Sequence, residues 1–203
     1  MGSSRSIALI AVILSFSLFA EAQSKSTAAR RAPVSRNNQQ WTIGVFTAGE
    51  KTGLKRLSDD TDFELSSSQM VLNIGRIWSW SVGRKGYLMD IQGLYGSGAT
   101  QSRNEQLVYF SNADSFYGLS AAFGGHYNYS TKSMWLASLL DIQWRQYQRK
   151  APPGFSFQGY EQRFLAYLKF ELTFPISNGT QVVQYFGIPL NERDLYWGVG
   201  LRF

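Results

Sequence analysis

Apolar and polar residues alternate along most of this chain, and a period of two marks strands whose successive side chains point to opposite faces. The alternation is clearest where Tyr160, Phe164, Ala166, Leu168, Phe170, Leu172 and Phe174 share one face and Glu161, Arg163, Tyr167, Lys169, Glu171 and Thr173 the other. Six more segments repeat it, and a seventh is mixed. Trp41, Ile43 and Val45 predict a strand over about 40–48. Met70, Leu72, Ile74, Trp78 and Trp80 predict one over 68–81, with Arg76 as the exception on its apolar face. Tyr87, Met89, Ile91 and Tyr95, set against Asp90 and Gln92, predict 85–96. Tyr117, Leu119, Phe123, Tyr127 and Tyr129, set against Gly118, Ser120, Gly124 and His126, predict 116–129. Met134, Leu136, Leu140, Ile142 and Trp144, set against Asp141, Gln143 and Arg145, predict 133–148. Over 180–188 the residues Val182, Val183, Tyr185 and Phe186 do not choose a face. The last strand, 194–203, sets Leu195, Trp197, Val199, Leu201 and Phe203 against Tyr196, Gly198, Gly200 and Arg202.

The eight expected strands are joined by connections that run long and short in turn until a brief last one at Pro189 to Arg193. Polar stretches at 49–67, 97–115 and 149–157 alternate with brief turns near Gly83, at Ser130-Thr131-Lys132 and at Pro175-Ile176-Ser177-Asn178-Gly179. An all-β, antiparallel, up-and-down barrel follows, and it can be oriented either way. In a soluble barrel of the lipocalin kind the apolar face would point inward. Eight strands enclose only enough room for side chains or one small ligand, and the apolar face carries large residues at nearly every position. The glycine-rich polar face fits the narrow interior better, so the expectation is polar in, apolar out. Asp90, Asp141, Arg145, Glu161, Arg163, Lys169, Glu171 and Arg202 then point into the lumen and must pair there. A hairpin centred near Pro153 pairs residues whose numbers sum to about 306, which sets Arg145 opposite Glu161. Arg76 either turns inward at a bulge at Gly75, towards Asp90, or snorkels to an interface.

Composition adds to the pattern. The 203 residues contain no Cys, 19 Gly, 6 Trp, 11 Tyr and 14 Phe, with a formal net charge of +6. Mean hydropathy is slightly polar at -0.21, as expected when a high aromatic load alternates with polar residues. At the start of the chain, Arg5, an apolar run from Ile7 to Ala20 and the small-x-small site Ala20-Glu21-Ala22 predict a signal peptide over 1–22, cleaved before Gln23. Residues 23–39 are rich in Ser, Ala, Asn and Gln with Lys25, Arg30, Arg31 and Arg36, and read as a flexible basic leader to a barrel over 40–203. The positive charges are scattered and the chain is exported, so nucleic acid is not an expected partner.

With its alternating last strand and aromatic final residue, the chain resembles the small bacterial outer-membrane β-barrels typified by the OmpA transmembrane domain, OmpX and OmpW. The resemblance implies that Leu195, Trp197, Val199, Leu201 and Phe203 form the signal read by the assembly machinery. It also implies interfacial aromatics at Trp80, Tyr87, Tyr95, Tyr127, Tyr129 and Trp197. The expected location is the outer membrane of a Gram-negative-type bacterium, as a monomer among lipid and lipopolysaccharide. The expected role is that of a structural or surface-contact protein meeting an extracellular ligand through its loops, with a narrow channel as the alternative. Some barrels of this family act on lipid A through a His-x-Ser pair; here Asn128 follows His126 at the nucleophile position, and Ser130 stands two residues further on. No catalytic residue, cofactor or metal is expected. The acidic run Asp59, Asp60, Asp62 and Glu64 lacks the spacing of a calcium loop and reads as a solvated face.

Overall fold

A computed structural model describes residues 35–102, 112–128, 135–149, 151, 153–158, 161–177, 179–191 and 194–203. The expected signal peptide, most of the leader, the 130–132 turn, Tyr129 and Tyr160 lie outside the described residues.

Nine strands are present among these residues: β1 (Ser35–Arg56), β2 (Asp62–Val82), β3 (Lys85–Ser102), β4 (Asn112–Asn128), β5 (Trp135–Gln148), β6 (Phe155–Gln158), β7 (Gln162–Ser177), β8 (Thr180–Pro189) and β9 (Tyr196–Arg202). Eight close into an antiparallel ring in the order β1-β2-β3-β4-β5-β7-β8-β9, because β1 pairs with β2 on one edge and β9 on the other. Just past β9, Trp41 and Phe203 exchange both backbone hydrogen bonds, at 2.8 and 3.0 Å. The seam is thereby closed to its last residue, and the ring has no free edge there. The ninth strand, β6, adds four residues to β1 above the start of β9.

The strands outrun the sequence expectation at both ends, β1 at its start opposite Val82 and the first four strands at the projecting end. β1 begins at Ser35, inside the stretch read as leader, and the supposed loop 49–67 is mostly ladder, with Lys55 still paired to Asp62. β3 and β4 likewise take in Ser97–Ser102 and Asn112–Ser115. The cause is local: a hairpin that rises past the barrel has solvent on its outer face, so its sequence turns polar while its backbone hydrogen bonds continue. At the opposite end the β2–β3 turn is tight. Gly83, with φ of +65°, supplies the left-handed residue of the two-residue β2–β3 turn.

Apolar residues cover the outside. Met70, Leu119, Phe123 and Phe164 are 65, 58, 53 and 68% exposed. On β8 the face is decided by its neighbours: Gln181, Val183, Tyr185 and Gly187 turn in, while Gln184, Phe186 and Ile188 turn out. Arg76 also points outward, over the Trp41 ring at 5.4 Å, and the ladder passes Gly75 without a bulge.

Two glycines make room for aromatic rings inside. A Cβ on Gly96 would meet the ring of its cross-strand partner Phe116 at 2.0 Å, and one on Gly187 would meet the ring of its partner Tyr196 at 2.1 Å. Each ring lies flat over a bare stretch of backbone. Gly187→Val should therefore push Tyr196 off its site and destabilise the barrel by about 1–3 kcal/mol, read as a lower urea midpoint for the compact, unboiled band on gels.

Candidate functional site

Large side chains point into the barrel, and its interior is less uniformly polar than the sequence suggests. An apolar layer of Ile77, Leu88, Ala122, Trp135, Ala137 and Leu139 lies towards the tight-turn end. A second cluster includes Phe46, Val71, Leu94, Phe116, Tyr147, Tyr167, Tyr185 and Tyr196. The charges sit between and beside these layers. Alternation hides this mixture, because Phe46 follows Thr42 and Gly44 on the inward face of β1 and Leu94 stands between Gln92 and Gly96 on that of β3.

Four charged side chains form one chain of contacts. Lys169 Nζ lies 3.2 Å from Asp90 and 2.8 Å from Glu171, and Glu171 also takes Arg202. Arg202 donates to Thr173 Oγ1 at 3.2 Å and lies over the Trp135 ring at 5.5 Å. Neighbouring amides complete the cluster. Gln92 donates to Asp90 at 2.6 Å, Asn73 donates to Gln92 at 2.7 Å, and the Tyr185 hydroxyl donates to Asn73 at 2.8 Å. Asp141 accepts from Ser120 at 2.6 Å, from Gln143 at 2.8 Å and from the Tyr196 hydroxyl at 2.8 Å. Gln143 turns its oxygen to Arg145, which donates through Nε and Nη2 at 3.1 and 2.6 Å. Arg145 thus meets Asp141 through an amide, and its guanidinium lies 4.8 Å from the Phe116 ring centre. Three buried carboxylates, Asp90, Asp141 and Glu171, face three buried cations, Arg145, Lys169 and Arg202. Opposite charges thus lie beside one another, as buried charge requires, although Asp90 Oδ1 and Arg202 Nε are buried without a hydrogen bond.

Glu161 is not among them. The β5–β7 register sets Arg145 opposite Arg163, two residues from the expected partner, and Glu161 stands exposed on a bend where its carbonyl accepts from the Tyr147 N–H at 2.7 Å. The shift arises because the connection between these strands is not a hairpin centred on Pro153 but a longer excursion that contains β6. Arg163 pairs instead with Glu50 at 3.0 Å, and Glu50 also holds Arg149 at 2.7 Å. Glu50 and Arg149 have no place in the sequence expectation, since both fall in stretches taken for loops. Yet the parity of Thr42, Gly44, Phe46 and Ala48, carried on unbroken, puts Glu50 inside.

Outside, Trp80 and Tyr87 face each other across β2 and β3 near the tight-turn end, and Tyr95 and Trp197 are exposed nearer the other end. Tyr127 is half-buried beside Lys85. Leu195, Trp197, Leu201 and Phe203 are exposed on the outer face, with Val199 half-buried between them. The acidic run at the tip of the β1–β2 hairpin is occupied by bases: Asp59 meets Arg56 and Asp60 meets Lys55, each at 3.0 Å, and Glu64 meets Lys51. Asp62 accepts from Gln158 at 2.5 Å. Hydrogen bonds from Thr61 hold the Asp59 carboxyl below its ordinary range, and bonding to Asp60 raises Lys55. His126 is buried in the barrel, edge-on to Trp135 at 4.9 Å.

No family model matches this chain, and no curated protein does. Among solved structures it is similar to Ail, the attachment invasion locus protein of Yersinia pestis, crystallised with the heparin analogue sucrose octasulfate. That match has 11% identity and a TM-score of 0.42, over 82% of this chain and 99% of that one. It is similar also to the transport unit of the autotransporter AIDA-I from Escherichia coli, with 10% identity and a TM-score of 0.36 over 93% and 97% of the two chains. The translocator domain of NalP from Neisseria meningitidis matches at 12% identity and a TM-score of 0.25, over 98% and 97%.

Proposed function

We propose that the chain is an integral outer-membrane barrel with a filled lumen, serving as a structural or surface-contact protein through the end where its strands project. The observation that carries this reading is the continuous apolar outer wall, which water would not tolerate on a monomer. Its height is right. Tyr87 and Tyr95 bound eight steps of β3, which at the usual rise and tilt span about 20 Å, close to the ~25 Å apolar band of such barrels. Beyond Tyr95 and Trp197 the β1–β2 hairpin continues to Arg56 and Asp62, well outside a hydrocarbon layer of that thickness. Lipid and lipopolysaccharide are then the lateral partners. An extracellular ligand would meet the β1–β2 hairpin, the β3–β4 connection and the segment around β6, where a rigid scaffold presents variable surface.

Asp90, Asp141, Arg145, Lys169, Glu171 and Arg202 are, on this reading, a plug that fills the lumen and fixes the register of the strands. Trp80, Tyr87, Tyr95 and Trp197 mark the two interfaces, and the outward residues of β9 with Phe203 are read by the assembly machinery. His126 lies inside the barrel, where an acyl chain in the surrounding membrane does not reach it, so the reading assigns no catalysis. Fractionation tests the location. The protein is expected to stay in the outer-membrane pellet through a carbonate wash; recovery in the periplasmic or washed soluble fraction would overturn the reading.

A further inference from the structure

We propose that β6 and the residues before it, Arg149, Ala151 and Pro153-Gly154, form a lid latched across the loop-end mouth of the barrel, with Glu50 as its latch. β5 and β7 are neighbours in the ring, and β1 stands opposite β5, four strands round in either direction. Two antiparallel neighbours need only a short turn. Between them β6 instead lies against Gly53–Arg56 of β1, on the edge that β9 leaves unpaired beyond Ala48. Leu57 N–H extends the ladder to the Gly154 carbonyl at 2.9 Å.

Apolar contact and charge hold the lid in place. Ala151, Phe155 and Phe157 cover Leu54, Phe63 and Leu65, which form the inward face of the projecting hairpin. Without that cover these apolar residues would stand in water above the mouth, which burial against the lid avoids. Glu50, on the wall of β1, grips Arg149 where the lid begins and Arg163 just after it ends, at 2.7 and 3.0 Å. Arg149 also donates to Thr52 Oγ1 at 3.2 Å. A carboxylate shared by two guanidiniums is held most firmly when dry, so the closed lid strengthens its own latch and entering water weakens it. The lid is thus a second closure, separate from the charge cluster deeper in the lumen.

The proposal rests on the barrel reading above, and its test is independent of conductance. The chain has no cysteine, so introduced pairs report cleanly. Arg56 and Phe155 are cross-strand partners, next to the hydrogen-bonded Leu57–Gly154 pair. They therefore occupy a non-hydrogen-bonded site where Cα atoms approach to about 4.5 Å, close enough for a disulfide. Arg56→Cys/Phe155→Cys in membranes should cross-link nearly to completion under mild oxidant, seen as a mobility shift on boiled, non-reducing gels. The control Arg56→Cys/Ile176→Cys, with its second cysteine at the opposite end, should not. Adding Glu50→Gln should slow cross-linking about tenfold, measured on the folded, heat-modifiable fraction. Should that variant not fold, Arg149→Gln carries the same test. Cross-linking no faster than the control would overturn the lid, and would do so even if the lumen proved closed to ions. An unchanged rate in both latch variants would overturn the role of Glu50.

Discussion

Glu171→Gln should cost the barrel about 3–5 kcal/mol of stability, the largest loss expected from any isosteric change in the chain. Glu171 is the only carboxylate of the central cluster that serves two cations, Lys169 at 2.8 Å and Arg202. The amide preserves shape and one acceptor, but it removes the charge that both cations lean on. Asp90 still holds Lys169, whereas Arg202 keeps only Thr173 and the Trp135 face. The loss should appear as a lower urea midpoint for conversion of the compact unboiled band to the unfolded one. Glu161→Gln is the matched control. Its carboxylate is exposed and outside the lumen, so it should shift stability by no more than about 0.5 kcal/mol. Equal effects from the two substitutions would show that the buried cluster is hydrated and carries little energy.

Deleting Phe203 should sharply lower the amount of folded barrel in the membrane while leaving synthesis and export unchanged. Two effects combine there. Phe203 closes the seam through both backbone hydrogen bonds to Trp41, and its side chain is 57% exposed at the end of the apolar row on β9. Phe203→Ser separates them, since it keeps the backbone pairs and removes the aromatic. Failure of assembly in both variants would assign the effect to the ring; failure of the deletion alone would assign it to the seam. Normal surface levels in both would remove Phe203 from the assembly signal. Immunoblots of outer-membrane fractions, with and without boiling, make the comparison.

Most of the ring is legible from the period of two, because a half-exposed strand must alternate and a narrow interior must take the smaller face. The face assignment of Tyr196, Gly198, Gly200 and Arg202 follows directly from that rule. Three features do not. The hairpin from Gly49 to Ser67 is solvated on its outer side, so its alternation fades although its ladder continues. The pairing of Arg163 with Glu50 depends on a contact across the ring, and hairpin arithmetic between β5 and β7 cannot supply it. The apolar layers inside the barrel are also hidden, because Leu88, Phe116 and Leu139 are large residues on the inward face, balanced by glycines on neighbouring strands such as Gly96 and Gly124. Complementary size across a strand pair leaves no mark on a single-strand pattern.

Planar-bilayer recording of the purified wild-type protein tests the filled lumen most directly. If Asp90, Lys169, Glu171 and Arg202 plug a dry lumen, as proposed, conductance should stay at the background of the bare bilayer across the usual voltage range. Glu171→Gln, refolded and recorded below its unfolding midpoint, should be equally silent. Steady single-channel steps in the wild type, with an ion selectivity that changes in Glu171→Gln, would contradict the plug and make these same residues the lining of a pore.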